Sequence, residues 1–137
     1  MNRFLDTPVD PNLLSPLDLA FLGDCVHEIF VREYLVTEAN RPNGELHKIK
    51  VKYVNADAQK AAADAMQPFL TEQEASIYRR GRNAHVGHVP KNMSSASYHA
   101  ATGFEALLGY LYLNGELDRI RELFGLIYNR QTEENNL

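Results

Sequence analysis

Two carboxylates stand in the middle of the two most apolar segments of the chain. Asp24 lies in LAFLGDCVHEIF, and Glu105 lies in TGFEALLGYLYL. Burial of an ionised carboxylate is costly unless the group is paired with a cation or bound to a metal. The pattern therefore leaves two explanations open at equal weight. Each acid forms a structural ion pair, for example with Arg32 or a loop arginine, or the two acids serve a functional site.

Helical spacing identifies the neighbours of each acid. Glu28 follows Asp24 by one turn and is the natural second acid, although an ordinary ion pair between Glu28 and Arg32 is favoured over metal ligation. Thr102 places a hydroxyl group one turn before Glu105.

Two glycines bear on whether the acids meet. Gly23 and Gly109 would let their helices approach closely, because glycine has no side chain. If the helices cross near these glycines, Asp24 and Glu105 converge.

A converging pair of carboxylates with water in the remaining positions suits Mg²⁺, with Mn²⁺ as a substitute. Such an ion polarises a phosphoryl oxygen and lowers the pKa of a bound water, which can then attack phosphorus. Hydrolysis of a phosphodiester is the chemistry that fits this pair.

Histidines offer a rival metal site for a phosphohydrolase that acts on small substrates. His85 and His88 are spaced by three residues, and His47 and His99 could join them. Neither HExxH nor CxxC accompanies them, so zinc is a weak alternative. No GxxxxGK[ST] or GxGxxG motif supports nucleotide-dependent chemistry.

A basic segment qualifies the overall acidity of the chain. The formal net charge of −4 argues mildly against nucleic-acid binding. Residues 79–91, however, read RRGRNAHVGHVPK and contain no acid. Composition alone leaves open whether this is a solvated loop or a phosphate-binding surface.

The elements that carry these residues are all helical. Ser15-Pro16 predicts the start of a long, buried helix that ends near Asn40. One broken helix or two short ones follow up to Pro68, and a capping box beginning at Thr71 opens a helix to about Arg80, which Gly81 stops. Ser94 or Ser95 caps the second buried helix, and a last amphipathic helix starts near Leu117.

Length and composition predict one domain without a membrane span or signal peptide, and hence a cytoplasmic protein. We expect an N-terminal extension at residues 1–12, the domain at 13–131 and a frayed tail at 132–137. The lone Cys25 has apolar neighbours, which predict a buried side chain.

The segments AFLGDCV and FEALLGYLYL resemble the two signatures of the ribonuclease III family, in the same order and at the same spacing. With ELHKIKVKYVNADAQ, RRGRNA and PKN, the chain resembles the Mini-ribonuclease III subfamily, a short bacterial form that has the catalytic domain but no double-stranded-RNA-binding domain. The resemblance covers residues 13–130.

The resemblance implies roles for particular residues. Asp24 and Glu105 match the metal-binding acids. Glu28 and Thr102 remain candidates for the surrounding shell because of their helical spacing. Ala20 and Thr102 stand where the larger enzymes have acids, so one Mg²⁺ per subunit is expected. Plausible contacts to the RNA backbone are Arg79, Arg80, Arg82, Asn83, Lys91 and Asn92, with His47 and Lys48 as weaker candidates.

The resemblance also implies an all-α homodimer in which Phe21 plugs into the partner. Each subunit would cut one strand of double-stranded RNA, leaving short 3′ overhangs, in the maturation of large-subunit ribosomal RNA precursors. A ribosomal protein that presents the substrate is a further expected partner. The leading alternative is a non-catalytic RNA-binding or ribosome-assembly subunit of the same fold, motivated by Ala20 and Thr102. A separate alternative for the basic segment is that Arg79 or Arg82 neutralises Asp24 or Glu105 in the apo protein instead of contacting RNA.

Overall fold

The computed structural model describes residues 3–84 and 88–135, with side chains up to residue 128. Within these residues the secondary structure is helical throughout, and the predicted all-α class is confirmed. The six helices are α1 (Pro16–Glu38), α2 (Asn43–Val54), α3 (Ala56–Met66), α4 (Glu72–Arg82), α5 (Ser95–Leu113) and α6 (Leu117–Asn135). Short 3₁₀ turns occupy Pro11–Leu13 and Gln67–Phe69.

Local capping explains where the helices begin. The side chains of Ser15, Thr71 and Ser94 each accept a hydrogen bond from a backbone N–H in the first turn of the helix that follows. At Thr71 the capping box is complete, because Glu74 also accepts from the threonine N–H at 2.9 Å. These predicted starts are confirmed.

Helix α5 forms the centre of the fold, and α1, α3 and α4 pack around it. Its side chains are buried almost all round, as its composition predicted. Phe104, Leu107, Leu108 and Leu111 are among the largest fully buried side chains of the core. The central helix is therefore the fixed frame against which the other helices place their functional groups.

Helix α1 is less buried than predicted. One face packs on the core, but the opposite face is open: Phe21 is 83% exposed, Ile29 57% and Leu17 43%. Cys25 is also exposed, so the prediction of a buried thiol was wrong. Both errors have one cause, because an apolar circumference predicts contact but does not say whether this chain or another provides it.

Gly81 does not end α4 as predicted, since the helix continues to Arg82. A Cβ at this position would lie 2.7 Å from the Cβ of Ala106 and 2.9 Å from the Cα of Gly103. The glycine therefore serves the close crossing of α4 and α5 rather than a helix end.

Within residues 3–84 and 88–135, no helix is both long enough and apolar enough to cross a membrane.

Candidate active site

The crossing of α1 and α5 positions the two central acids. A Cβ on Gly23 would lie 1.6 Å from the carbonyl oxygen of Glu105, and a Cβ on Gly109 would lie 2.0 Å from that of Leu19. Both contacts are far too short for any side chain, so the crossing depends on both glycines, as their positions predicted.

Asp24 and Glu105 come within hydrogen-bonding distance of each other at this crossing. Asp24 is exposed, whereas Glu105 is partly buried. Burial, followed by the negative charge and the hydrogen bond of Asp24, raises the pKa of Glu105 to about 8. Without a bound cation, Glu105 therefore retains its proton at neutral pH.

No cation neutralises this pair among the residues whose side chains are described. The ion pairs of Arg32, Arg41, Lys50, Lys60, Arg119 and Arg121 all go to other acids. Both explanations that invoked an arginine partner for Asp24 or Glu105 lack support here. Two adjacent carboxylates without a cation form a donor set that fits a hard divalent ion, which would displace the proton of Glu105.

The raised pKa of Glu105 has a consequence for stability without metal. The unfolded glutamate releases its proton near 4.5 and the folded one near 8, so the unfolded state binds fewer protons in between and stability falls as pH rises. From pH 6.5 to 8 we expect the wild-type protein to lose about 1–2 kcal/mol of unfolding free energy. Glu105→Gln should remove this slope.

Urea unfolding in EDTA at both pH values measures this difference. The comparison with Glu105→Gln cancels the contribution of His27, whose pKa is lowered to about 4 by burial despite the opposing effect of Glu28. Parallel pH dependence in the two proteins would contradict the raised pKa of Glu105.

Glu28 is committed to ion pairs. Its carboxylate lies 2.8 Å from Arg32 and 3.0 Å from Lys50 of α2. Partial burial works against ionisation, but the hydrogen bonds from Lys50 and Arg32 lower the pKa of Glu28 overall. This is the ordinary ion pair that helical spacing favoured, extended by a lysine that sequence spacing could not identify.

The positions that depart from the larger enzymes supply no carboxylate. Ala20 is buried, and the buried Thr102 hydroxyl donates to the carbonyl oxygen of Tyr98 at 3.0 Å. Within the described part of the chain, no group of three or more His, Cys, Asp or Glu side chains could hold a metal. The candidate site therefore contains two acids, Asp24 and Glu105.

The sequence did not predict a series of hydrogen-bonded polar side chains that leads from Glu105 into the core. Gln59 of α3 hydrogen-bonds to Glu105 and also approaches Nδ1 of His27 to 3.2 Å. Nε2 of His27 lies 2.7 Å from the hydroxyl oxygen of Tyr128. The available signal was a histidine and a glutamine among apolar and alanine-rich neighbours.

The predicted RNA-binding residues lie on exposed surface at three places. Arg79, Arg80, Arg82 and Asn83 form the exposed end of α4, Lys91 and Asn92 precede α5, and His47 and Lys48 lie on α2. Asn92 adopts the left-handed conformation, with φ of 67°.

The basic end of α4 lies at the level of the acids along α5. Gly81 meets α5 at Thr102, Gly103 and Ala106, which lie within a turn of Glu105. Arg82 lies over the ring of Tyr78, 5.8 Å from its centroid. Arg79 and Arg80 form no ion pair with a described side chain, so their charges remain available to phosphate.

The rival histidine site gains no support from the residues that can be placed. His88 is exposed, and His47 and His99 lie on different helices, α2 and α5. His85 lies outside the described residues.

An apolar cavity of about 720 Å³ opens beside the exposed face of α1. Its walls come from α1, from the end of α5, from α6 and from the N-terminal segment. The main apolar lining residues are Leu22, Cys25, Val26, Ile29, Phe30, Ile120 and Phe124. Phe21 projects from the same helix with 83% exposure.

Comparison with known proteins gives the family. Residues 17–116 match the Ribonuclease III domain family. A Mini-ribonuclease 3 from Thermoanaerobacter sp. (strain X514) is 47% identical over 113 residues, which cover 82% of this chain and 80% of the relative. A Mini-ribonuclease 3 from Symbiobacterium thermophilum is 47% identical over 114 residues, covering 83% of this chain and 88% of the relative.

The fold agrees with the sequence comparison. A crystal structure of a protein from Fusobacterium nucleatum matches with a TM-score of 0.81 at 27% identity, over 90% of this chain and 99% of that one. The resemblance carried by AFLGDCV and FEALLGYLYL is thereby confirmed. This chain belongs to the ribonuclease III family, a family of endoribonucleases, and is similar over most of its length to Mini-ribonuclease 3 members of that family.

Proposed function

We propose that this chain is a Mg²⁺-dependent endoribonuclease that cuts double-stranded RNA as a homodimer. The single observation that carries the proposal is the pairing of Asp24 and Glu105 at a glycine crossing, without a neutralising cation among the described side chains. Mg²⁺ in this position would polarise a phosphoryl oxygen and supply a bound water of lowered pKa as nucleophile.

The chain's own residues provide the position and the charge. Asp24 and Glu105 would hold the cation from two helices whose close crossing depends on Gly23 and Gly109. Rigid helices preserve this geometry better than loops would. Glu28 stays ionised within its ion pairs and adds negative potential one turn away from Asp24.

Binding of RNA falls to the exposed cations. A-form RNA is recognised mainly through its shape, its phosphates and its 2′-hydroxyl groups. Arg79, Arg80, Arg82 and Asn83 would contact the backbone beside the acids, with Lys91, Asn92, His47 and Lys48 at the periphery. Two copies of the basic surface in a dimer would offset the acidic remainder of the molecule locally.

The open face of α1 supports the proposed homodimer. Phe21, Leu17 and Ile29 leave an apolar surface beside the cavity of about 720 Å³. We infer that a second copy covers this face and inserts its own Phe21 into the cavity, which would also bury Cys25. Each subunit then presents one pair of acids to one strand. Exposed apolar residues of the N-terminal segment, such as Phe4 at the cavity, would lie near this interface.

Precursors of large-subunit ribosomal RNA are the proposed natural substrate, in the cytoplasm and with a ribosomal protein as a presenting partner. The names of the relatives support an endoribonuclease, and the rest of this assignment follows from the family resemblance.

The function is tested by incubating the protein with matched double-stranded and single-stranded RNA, in Mg²⁺, in Mn²⁺ and in EDTA. We expect endonucleolytic cleavage of the duplex only when a divalent ion is present, with 5′ phosphates on the products. Binding of duplex RNA without cleavage at any metal concentration would favour the non-catalytic subunit instead.

A further inference from the structure

Gln59 is unusual because its side chain is polar, buried and directed at one of the two acids. It is 3% exposed on α3, in a segment otherwise rich in alanine. Its amide lies 3.2 Å from Nδ1 of His27 and also hydrogen-bonds to Glu105. Cation binding at Asp24 and Glu105 does not itself require either contact, so they call for a separate explanation.

The chemistry of the amide fixes the direction of these bonds. Gln59 donates one N–H to an oxygen of Glu105, and this bond favours the carboxylate form and so opposes the rise in the pKa of Glu105. The second N–H of the same nitrogen is left for Nδ1 of His27, which must then be the unprotonated ring nitrogen. The remaining ring nitrogen, Nε2, carries the proton and donates to the hydroxyl oxygen of Tyr128 at 2.7 Å.

The histidine is itself held in place. Its side chain is fully buried, and its ring meets Phe104 edge-on, with the centroids 4.9 Å apart. Phe104 directly precedes Glu105 in the sequence. The turn of α5 that carries Glu105 therefore also supports the ring of His27, which contacts Gln59. Tyr128, on α6, is the last side chain of this hydrogen-bonded series.

We propose that Gln59 is a positioning residue for Glu105 and that His27, anchored by Tyr128, acts through Gln59. The hydrogen-bonded series Tyr128–His27–Gln59–Glu105 would hold the carboxylate of Glu105 in the orientation that faces Asp24. It would also prevent the side chain of Gln59 from rotating away. This inference rests on the proposed function, because the series can affect cation binding only if Glu105 is a metal ligand. Outer partners of metal ligands commonly change metal affinity or activity by about 10–100-fold.

The test is Gln59→Met, which keeps the length and the helix preference of the side chain but removes both donors. Mg²⁺ affinity is measured by calorimetry without RNA, together with thermal unfolding in EDTA and the Mg²⁺ dependence of cleavage. We expect affinity to fall about 10–100-fold, and cleavage to recover partly at high Mg²⁺. Gln67→Met, at the exposed end of the same segment, is the matched control and should bind Mg²⁺ normally.

His27→Phe tests the second step of the proposal and provides a further variant if Gln59→Met does not fold. It keeps an aromatic ring and removes the acceptor, so Mg²⁺ affinity should fall by a smaller factor. The double variant should bind no more weakly than Gln59→Met alone, because His27 acts only through Gln59. His27→Asn, which can retain an acceptor near Nδ1, should restore most of the affinity even if stability falls.

The outcomes separate this inference from the proposed function. Wild-type affinity in folded Gln59→Met, or in folded His27→Phe, would overturn the positioning role while leaving the cation site intact. Additive losses in the double variant would overturn the statement that His27 acts through Gln59. Failure of the wild-type protein itself to bind Mg²⁺ would overturn the proposed function and the inference together.

Discussion

Asp24→Asn and Glu105→Gln should each reduce cleavage of double-stranded RNA by about 10³-fold or more under saturating RNA. Each change replaces the carboxylate of a proposed metal ligand by a neutral amide, and metal stabilisation of the transition state is worth several kcal/mol. Single-turnover cleavage at a fixed Mg²⁺ concentration measures the loss. The two variants together should be little worse than either alone, because the acids act as one unit.

Neither substitution should disrupt the fold, and this keeps the result interpretable. Asp24 is exposed, and Glu105 already binds a proton tightly without metal. Asp18→Asn is the matched control, since it removes an exposed acid from the same helix. Full activity in either site variant would show that the acids are not the ligands, whereas equal loss in the control would show a general effect of charge.

Phe21→Ala should weaken the homodimer about 10²–10⁴-fold. Full burial of a phenylalanine side chain contributes about 1.5–3 kcal/mol, and a twofold interface counts the loss twice. Sedimentation at a series of protein concentrations measures the dissociation constant. Cleavage should fall in parallel at low protein concentration and recover as the concentration is raised.

Val36→Ala provides the control for Phe21, because Val36 is 59% exposed nearer the C-terminal end of α1. It should leave the dissociation constant almost unchanged. A wild-type protein that sediments as a monomer at micromolar concentration would contradict the dimer. An unaltered dissociation constant in Phe21→Ala would instead move the interface away from this face of α1.

Features set by neighbours in sequence could be predicted. Ser15, Thr71 and Ser94 cap their helices through hydrogen bonds to residues only three positions away. The approach of α1 and α5 at Gly23 and Gly109 was also predictable, because each glycine stands near an acid in an apolar helix. The convergence of Asp24 and Glu105 followed from these glycines.

Features set by distant contacts could not be predicted. Gly81 carries the signal of a helix end, yet the close approach of Gly103 and Ala106 gives it another role within α4. Gln59 and His27 are separated by 32 positions and gain their meaning only when α3 is placed beside α1. Lys50 joined the ion pair of Glu28 for the same reason.

The burial of α1 was mispredicted for a different reason. The apolar circumference of this helix predicted burial, but residues such as Phe21 and Cys25 are exposed in the single chain. Apolar residues in a sequence can be covered either by the same chain or by a partner. The apolar residues of α1 that this chain leaves exposed therefore indicate where the proposed interface lies.

The central claim is that Asp24 and Glu105 jointly hold one divalent cation per subunit. Electron paramagnetic resonance titration of Mn²⁺ into the metal-free protein tests it most directly, because it counts bound ions without RNA or catalysis. We expect one tight Mn²⁺ per wild-type subunit, displaced by Mg²⁺, and loss of that site in both Asp24→Asn and Glu105→Gln. An equally tight site in either variant would contradict the claim.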